Sequence, residues 1–232
     1  MRLDRYLSNS GIGTRKEVKQ YIKKGLVKVN EKIITQDNFN VDEYQDDIYF
    51  QDEKIEYHEF YYILLNKPQG YVSATNDNVY PPVTDLVSEY AFAKLFPVGR
   101  LDVDTTGTLL LTNNGTLCHR LLAPKYHVDK KYYVETDYKI QPHLIDAFEK
   151  GIMLDDEMTL PAKLEIIDDT HAYLTIHQGK FHQVKRMFLH FGLTVISLDR
   201  AEFAFLNHND LKQGEYRVLT KEEIVKLMDL TK

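Results

Sequence analysis

The run Gly99-Arg100-Leu101-Asp102-Val103-Asp104-Thr105-Thr106-Gly107-Thr108-Leu109-Leu110-Leu111-Thr112 joins a polar loop to an apolar segment. Its last four residues have the continuous apolar character of a short buried strand. The loop before them gathers two acids, an arginine and two glycines. A carboxylate on such a loop can be held near a ligand while the strand fixes the backbone. Three readings of the loop compete. D-x-D-x-T-G opens like a calcium-binding loop, but the twelfth position from Asp102 is Asn113, so the bidentate Glu is missing. A plain turn with capping acids is the common fate of this composition. The third reading is a catalytic aspartate, with Arg100 and the polar turn residues holding its neighbours.

Outward from this loop the elements are mixed rather than regularly alternating. Towards the C-terminus the sequence predicts a helix over 115–122, a strand over 131–136 and a helix from Pro142 to Gly151. Paired strands over 164–167 and 172–176 follow, then a basic helix over 181–191. Thr220 and Glu223 form a capping box for a last helix. Towards the N-terminus a strand over 60–65 stops at Asn66-Lys67-Pro68-Gln69-Gly70, a strong turn signal. The first segment reads as helix, helix and hairpin. Leu3, Tyr6 and Leu7 share one helical face, Thr14 caps a second helix, and Asn30-Glu31 turns a small hairpin. Ile48-Tyr49-Phe50 adds a candidate third strand. Residues 51–58 read as a linker. Several hairpins in mixed order indicate an α+β chain, not a doubly wound parallel sheet.

The chain has 232 residues, 43% hydrophobic and 28% charged, an ordinary globular balance that argues against general disorder. One cysteine, Cys118, excludes an internal disulfide framework and a multi-cysteine metal site. No apolar run approaches the roughly 20 residues of a bilayer span, and MRLDRYL has no apolar signal core, so a cytoplasmic setting is expected. Net charge is −6, yet residues 1–32 hold nine Lys/Arg against three acids. Such asymmetry fits either a polyanion contact on one surface or a solvated helical face. Arg15, Lys16, Lys19 and Lys23 lie along one side of the second helix.

Two further stretches carry chemistry. Between His177 and His190 there are three Lys/Arg and no acids, with Gly179 turning the chain and Lys180, Gln183, Lys185 and Arg186 leading into a helix. Lys185 also fits a merely exposed basic face. The histidines lack the H-E-x-x-H arrangement of zinc enzymes. In Lys130-Lys131-Tyr132-Tyr133-Val134, alternation places Lys130, Tyr132 and Val134 on one face. Tyr132 there is either a core residue or a ring on which a base stacks.

Together these motifs resemble the RsuA branch of RNA pseudouridine synthases. The resemblance runs through MRLDRYL, GTRKEV and GLVKVN near the N-terminus. It continues through LNKPQGYVSAT at 65–75, FPVGRLDVDTTG at 96–107, KYYV at 131–134, GKFHQVKRMF at 179–188 and GEYRVLTKEEI at 214–224. It implies a small S4 (αL-like) RNA-binding domain with linker over 1–56, and a catalytic domain with a mixed, mainly antiparallel sheet over 57–232. It implies that Asp102 is the catalytic aspartate, supported by Arg100, by Tyr132 stacking on the target base, and by Lys180 pairing with the carboxylate. Arg2, Arg15, Lys16, Lys19, Lys23, Lys67, Gln183 and Arg186 are the expected RNA contacts. The implied reaction isomerises uridine to pseudouridine without cofactor or metal. The implied partner is 16S ribosomal RNA at its uridine-516 site, free or within a small-subunit assembly intermediate, bound by a monomer. A large-subunit synthase of the same superfamily and a non-catalytic ribosome assembly factor are the rivals. The sequence departs from the family at Gln178, where Glu is usual, and at Thr108, where an apolar residue is usual.

Overall fold

A computed structural model describes residues 1–232. The chain forms two compact units, one of residues 1–61 with 87–95 and one of residues 62–86 with 96–232.

In the first unit, α1 (Leu3–Asn9) and α2 (Arg15–Lys23) precede β1 (Val27–Val29), β2 (Lys32–Ile33), β3 (Ile48–Phe50) and β4 (Glu53–Lys54). The strands form an antiparallel sheet of order β2-β1-β3-β4. Helix α2 starts where the capping signal places it. Thr14 Oγ1 accepts from Glu17 N at 3.3 Å, and Glu17 Oε2 accepts from Thr14 N at 2.8 Å. Asn30 and Glu31 turn the β1–β2 hairpin with positive φ at both positions, which matches the twist of the flanking strands. Leu3, Tyr6, Leu7, Val18, Ile22, Val27, Val29, Val41 and Ile48 fill the core of this unit.

The second unit is built on β5 (Tyr62–Lys67), β6 (Phe96–Pro97), β7 (Thr106–Thr112), α3 (Gly115–Leu122), β8 (Lys130–Thr136), α4 (His143–Lys150), the hairpin β9 (Met153–Leu154) and β10 (Glu157–Met158), β11 (Lys163–Ile166), β12 (His171–Ile176), α5 (Gln183–Leu189), β13 (Val195–Phe203), β14 (Leu206–Asn207), β15 (Tyr216–Val218) and α6 (Lys221–Asp229). The large sheet runs β11-β12-β8-β13-β7-β5-β15, with β14 on β13 and β6 on β7. Every pair is antiparallel except β13 and β7. The α+β reading with a mixed, mainly antiparallel sheet therefore stands. All seven residues of β7 are buried, as expected of a central strand covered on both faces.

Several elements differ from the sequence reading, among them β4, which lies inside the stretch 51–58 that reads as a linker and pairs with β3. The strand expected over 60–65 lies at Tyr62–Lys67, leaving Phe60 exposed and burying Asn66 and Lys67. Their polar groups are satisfied inside: Asn66 Nδ2 donates to the Leu211 carbonyl at 2.7 Å, and Lys67 donates to loop carbonyls. The long β13 was not anticipated, because Asp199 and Arg200 interrupt its apolar pattern. Arg200 is 2% exposed and its Nε donates to the Thr108 carbonyl at 2.8 Å. Thr108 itself is fully buried, with its Oγ1 donating to Ala201 O at 2.9 Å and lying 2.9 Å from His208 Nδ1. Its hydroxyl is thus bonded where an apolar residue is usual.

Candidate active site

The loop from Val98 to Thr105 leaves β6 and feeds β7, and its backbone is fixed from behind. Lys67 ends β5 opposite Gly107. Its Nζ donates to the carbonyls of Thr105 (2.7 Å), Asp102 (3.0 Å) and Pro68 (3.1 Å). The side chain is fully buried, and that burial pushes the ammonium down to about 8, against the pull of Asp104 and Asp102. The expected RNA contact by Lys67 is thereby corrected: a wholly buried ammonium spent on main-chain carbonyls is a clamp for the 102–105 loop. Ser73 adds a second clamp, its Oγ donating to Leu101 O and accepting from Leu101 N, each at 3.0 Å. Gly70 N donates to Val103 O at 2.9 Å. Nothing in the spacing of residues 65–75 singles out Ser73, since its partner is a main-chain group distant in sequence.

Gly107 makes the turn into β7 at φ +102. A Cβ there would lie 2.5 Å from Arg200 O and 2.7 Å from Asp199 Oδ2. The residue must be glycine both for its dihedral and for the close approach of the parallel β13.

So held, Asp102 projects into a cleft lined also by Arg100, Leu101, Thr105, Tyr132, Lys180, His182 and Lys185, among others. Its side chain is 28% exposed. Lys185 Nζ is 3.0 Å from Oδ2 and His182 Nε2 is 3.3 Å from Oδ1. Lys185 also donates to Asp104 Oδ1 at 2.6 Å. Burial alone would lower the Lys185 ammonium, but Asp104 and Asp102 outweigh it and hold it above the ordinary lysine value. Burial would likewise raise Asp104; the Lys185 ammonium outweighs it and holds that carboxyl low. Lys185 therefore stays charged and bridges both acids of the loop.

The expected pairing of Lys180 with Asp102 is corrected by this geometry. Lys180 Nζ donates instead to Glu157 Oε2 at 2.5 Å, on the β9–β10 hairpin. Lys180 precedes the helix on a turn, and the left-handed backbone of His182 (φ 47) redirects the chain so that Lys185, within α5, meets the loop. Gln183 is corrected as an RNA contact: it is 3% exposed, its Oε1 accepts from Lys180 N at 3.0 Å, and its Nε2 faces Met187 Sδ at 3.7 Å. Arg186 is ion-paired with Asp155 and donates to the Phe181 carbonyl at 3.3 Å. Arg100 is exposed at the cleft, and Tyr132 lies in its wall, 7% exposed. The Thr105 hydroxyl, buried in the same wall, has no hydrogen-bond partner within the protein. Gln178 is buried nearby on the chain, its Nε2 also unpaired. No three His, Cys, Asp or Glu side chains converge as a metal site.

In the N-terminal unit, Arg2, Arg15, Lys16 and Lys19 line one concavity with Asp4 and Arg5. Arg2 is chelated by Asp4 through Nε (3.0 Å) and Nη2 (2.9 Å), and Lys19 reaches Asp37 at 3.3 Å. Lys23 is exposed at the end of α2.

Residues 61–190 match the family described as RNA pseudouridylate synthase, and residues 1–46 match the S4 domain. The chain is 40% identical to the ribosomal small subunit pseudouridine synthase A of Haemophilus influenzae over 98% of this chain and 100% of that protein. It is 37% identical to the ribosomal large subunit pseudouridine synthase B of Bacillus subtilis, covering 99% and 96%. A solved pseudouridylate synthase crystal structure superposes with a TM-score of 0.69 at 39% identity, covering 98% of this chain and 99% of that one.

Proposed function

The chain belongs to the RNA pseudouridylate synthase family, and we propose that it isomerises a specific uridine of small-subunit (16S) ribosomal RNA, at the uridine-516 site, with Asp102 as the catalytic group. The observation that carries this reading is the Asp102 carboxylate held between Lys185 and His182 in a cleft walled by Tyr132. The isomerisation breaks the N1–C1′ bond and forms a C5–C1′ bond; the proton on C5 is lost and N1 gains one, so no electrons change hands. The reaction asks for an ionised acid beside the sugar, acting as nucleophile or as base, and the Asp102 carboxylate, 3.0 Å from the Lys185 ammonium, is placed for that part. Tyr132 supplies a ring for the extruded base, whose departure from its stack costs a few kcal/mol. Residues 1–56 serve as the RNA-binding domain and linker, and 57–232 carry the chemistry. The protein acts as a monomer in the cytoplasm, without cofactor, on free RNA or on an assembly intermediate. No helix is long and apolar enough to cross a membrane.

The similarity to the Bacillus subtilis large-subunit enzyme favours a second reading, modification of large-subunit RNA. One experiment separates the two. Unmodified small- and large-subunit RNAs are incubated with the wild-type chain and with Asp102→Asn, and pseudouridines are mapped. A single new site in the small-subunit RNA, absent with Asp102→Asn, is expected. A site confined to large-subunit RNA moves the assignment there, and full activity of Asp102→Asn removes the aspartate mechanism.

A further inference from the structure

Phe181 is 75% exposed beside the cleft. A lone exposed apolar side chain needs no explanation in general, but this one stands on a braced turn. Lys180 N donates to Gln183 Oε1 at 3.0 Å, Gln183 N donates to Lys180 O at 3.2 Å, and Arg186 Nη1 donates to the Phe181 carbonyl at 3.3 Å. The Lys180–Glu157 bond ties the same turn to the β9–β10 hairpin. Behind the phenyl ring lies the imidazole of His182, stacked at 3.8 Å between centroids and 18° between planes. That imidazole is the group 3.3 Å from Asp102. The rest of the phenyl ring faces solvent. The basic residues of the same segment are each paired with an acid, Lys180 with Glu157, Lys185 with Asp102 and Asp104, and Arg186 with Asp155.

An aromatic ring on a braced turn, backed by a stacked imidazole and open to solvent beside the cleft, has the chemistry of a nucleobase platform. From this we infer that Phe181 stacks on a base adjoining the target uridine, covering the face laid bare when that uridine enters the Asp102 cleft. The inference rests on the synthase reading above and extends it to the neighbouring nucleotide. Extruding a base leaves its neighbours without stacking partners, and a preformed ring at the cleft edge returns part of what extrusion costs. Because every base has a π face, the platform adds affinity without selecting the identity of that neighbour.

The test is a cycle of binding measurements on the full chain. Asp102→Asn is used as the background so that the RNA stays unconverted. The probe is a small-subunit RNA fragment containing the mapped site, made intact or with an abasic nucleotide immediately 5′ or 3′ of the target uridine. Phe181→Ala is expected to weaken binding of the intact RNA about tenfold. It should cost nothing further on one of the two abasic RNAs. Phe181→Trp should bind like the parent, whereas Phe181→Leu, which keeps apolar bulk without a ring, should behave like Phe181→Ala. Equal losses on intact and both abasic RNAs, or no loss on any, overturn the inference. Neither outcome touches the synthase reading, which stands or falls on conversion by the chain with Asp102 intact.

Discussion

Lys180 and Lys185 belong to one basic stretch of the chain, yet only Lys185 reaches Asp102. The motif marked the stretch, but the choice between two lysines depends on a left-handed turn at His182, a non-glycine residue in which sequence gives no warning of positive φ. Asp102 was legible because glycines, acids and a following apolar strand cluster around it. Lys67 was legible as a cation and illegible as a buried one, since its acceptors are all main-chain carbonyls. The pairing has a kinetic consequence. Lys185→Met leaves Asp102 and Asp104 without their shared cation and removes the charge that holds the Asp104 carboxyl low. At neutral pH, kcat should fall by about 10²–10³, the usual cost of removing one preorganised charge partner. Lys180→Met, which breaks only the bond to Glu157, should cost less than about tenfold. Single-turnover rates of both variants check this, and the reverse order would return the role to Lys180.

At the scale of elements, periodicity found the helices and hairpins that stand on local signals. The N-cap at Thr14, the capping box at Thr220 and, to within a residue, the strands β11 and β12 appear where the sequence puts them. It missed β13, whose charged centre is stabilised by partners distant along the chain. Arg200 bonds to Thr108 O, and Asp199 Oδ2 accepts from Thr106 Oγ1 at 2.6 Å. The sole parallel pairing in the sheet joins these two strands through Arg200 and Gly107. That register leaves no room at position 107. Gly107→Ala would force a Cβ against the Arg200 backbone at a left-handed φ, so β7 and β13 must separate or the loop above them must shift. A destabilisation of about 3 kcal/mol is expected in urea unfolding, within the range for backbone strain combined with overpacking. The same variant should lose turnover under native conditions, because the displaced loop carries Asp102. Gly70→Ala is the control for the dihedral alone: its φ is +84 and a Cβ there meets nothing within 4 Å, so it should cost about 1 kcal/mol. Equal losses at the two positions would mean that crowding against β13 is not what position 107 guards against.

Over the whole molecule, charge is divided rather than summed. A net charge of −6 gives no hint of a polyanion partner, whereas nine basic residues against three acids in positions 1–32 do. The structure refines that count. Arg2 is neutralised by Asp4, Lys19 by Asp37 and Lys28 by Asp52, while Arg15, Lys16 and Lys23 form no ion pair and lie exposed on α2. Only cations that are not already neutralised release counterions when they meet phosphate. In the full chain, replacing Arg15, Lys16 and Lys23 together by Gln should therefore reduce the slope of log K against log salt by about 2–3 in magnitude. Arg2→Gln should change it by less than about 1, because Arg2 is already paired with the buried Asp4 carboxylate. Fluorescence anisotropy on the unmodified RNA across about 50–300 mM KCl supplies the slopes. If the cleft does the chemistry and α2 only the holding, kcat at saturating RNA stays at the wild-type value in the triple variant while KM rises. An unchanged salt slope would mean that the phosphate contacts are made elsewhere, and a fall in kcat with KM unaltered would mean that α2 acts on the chemical step.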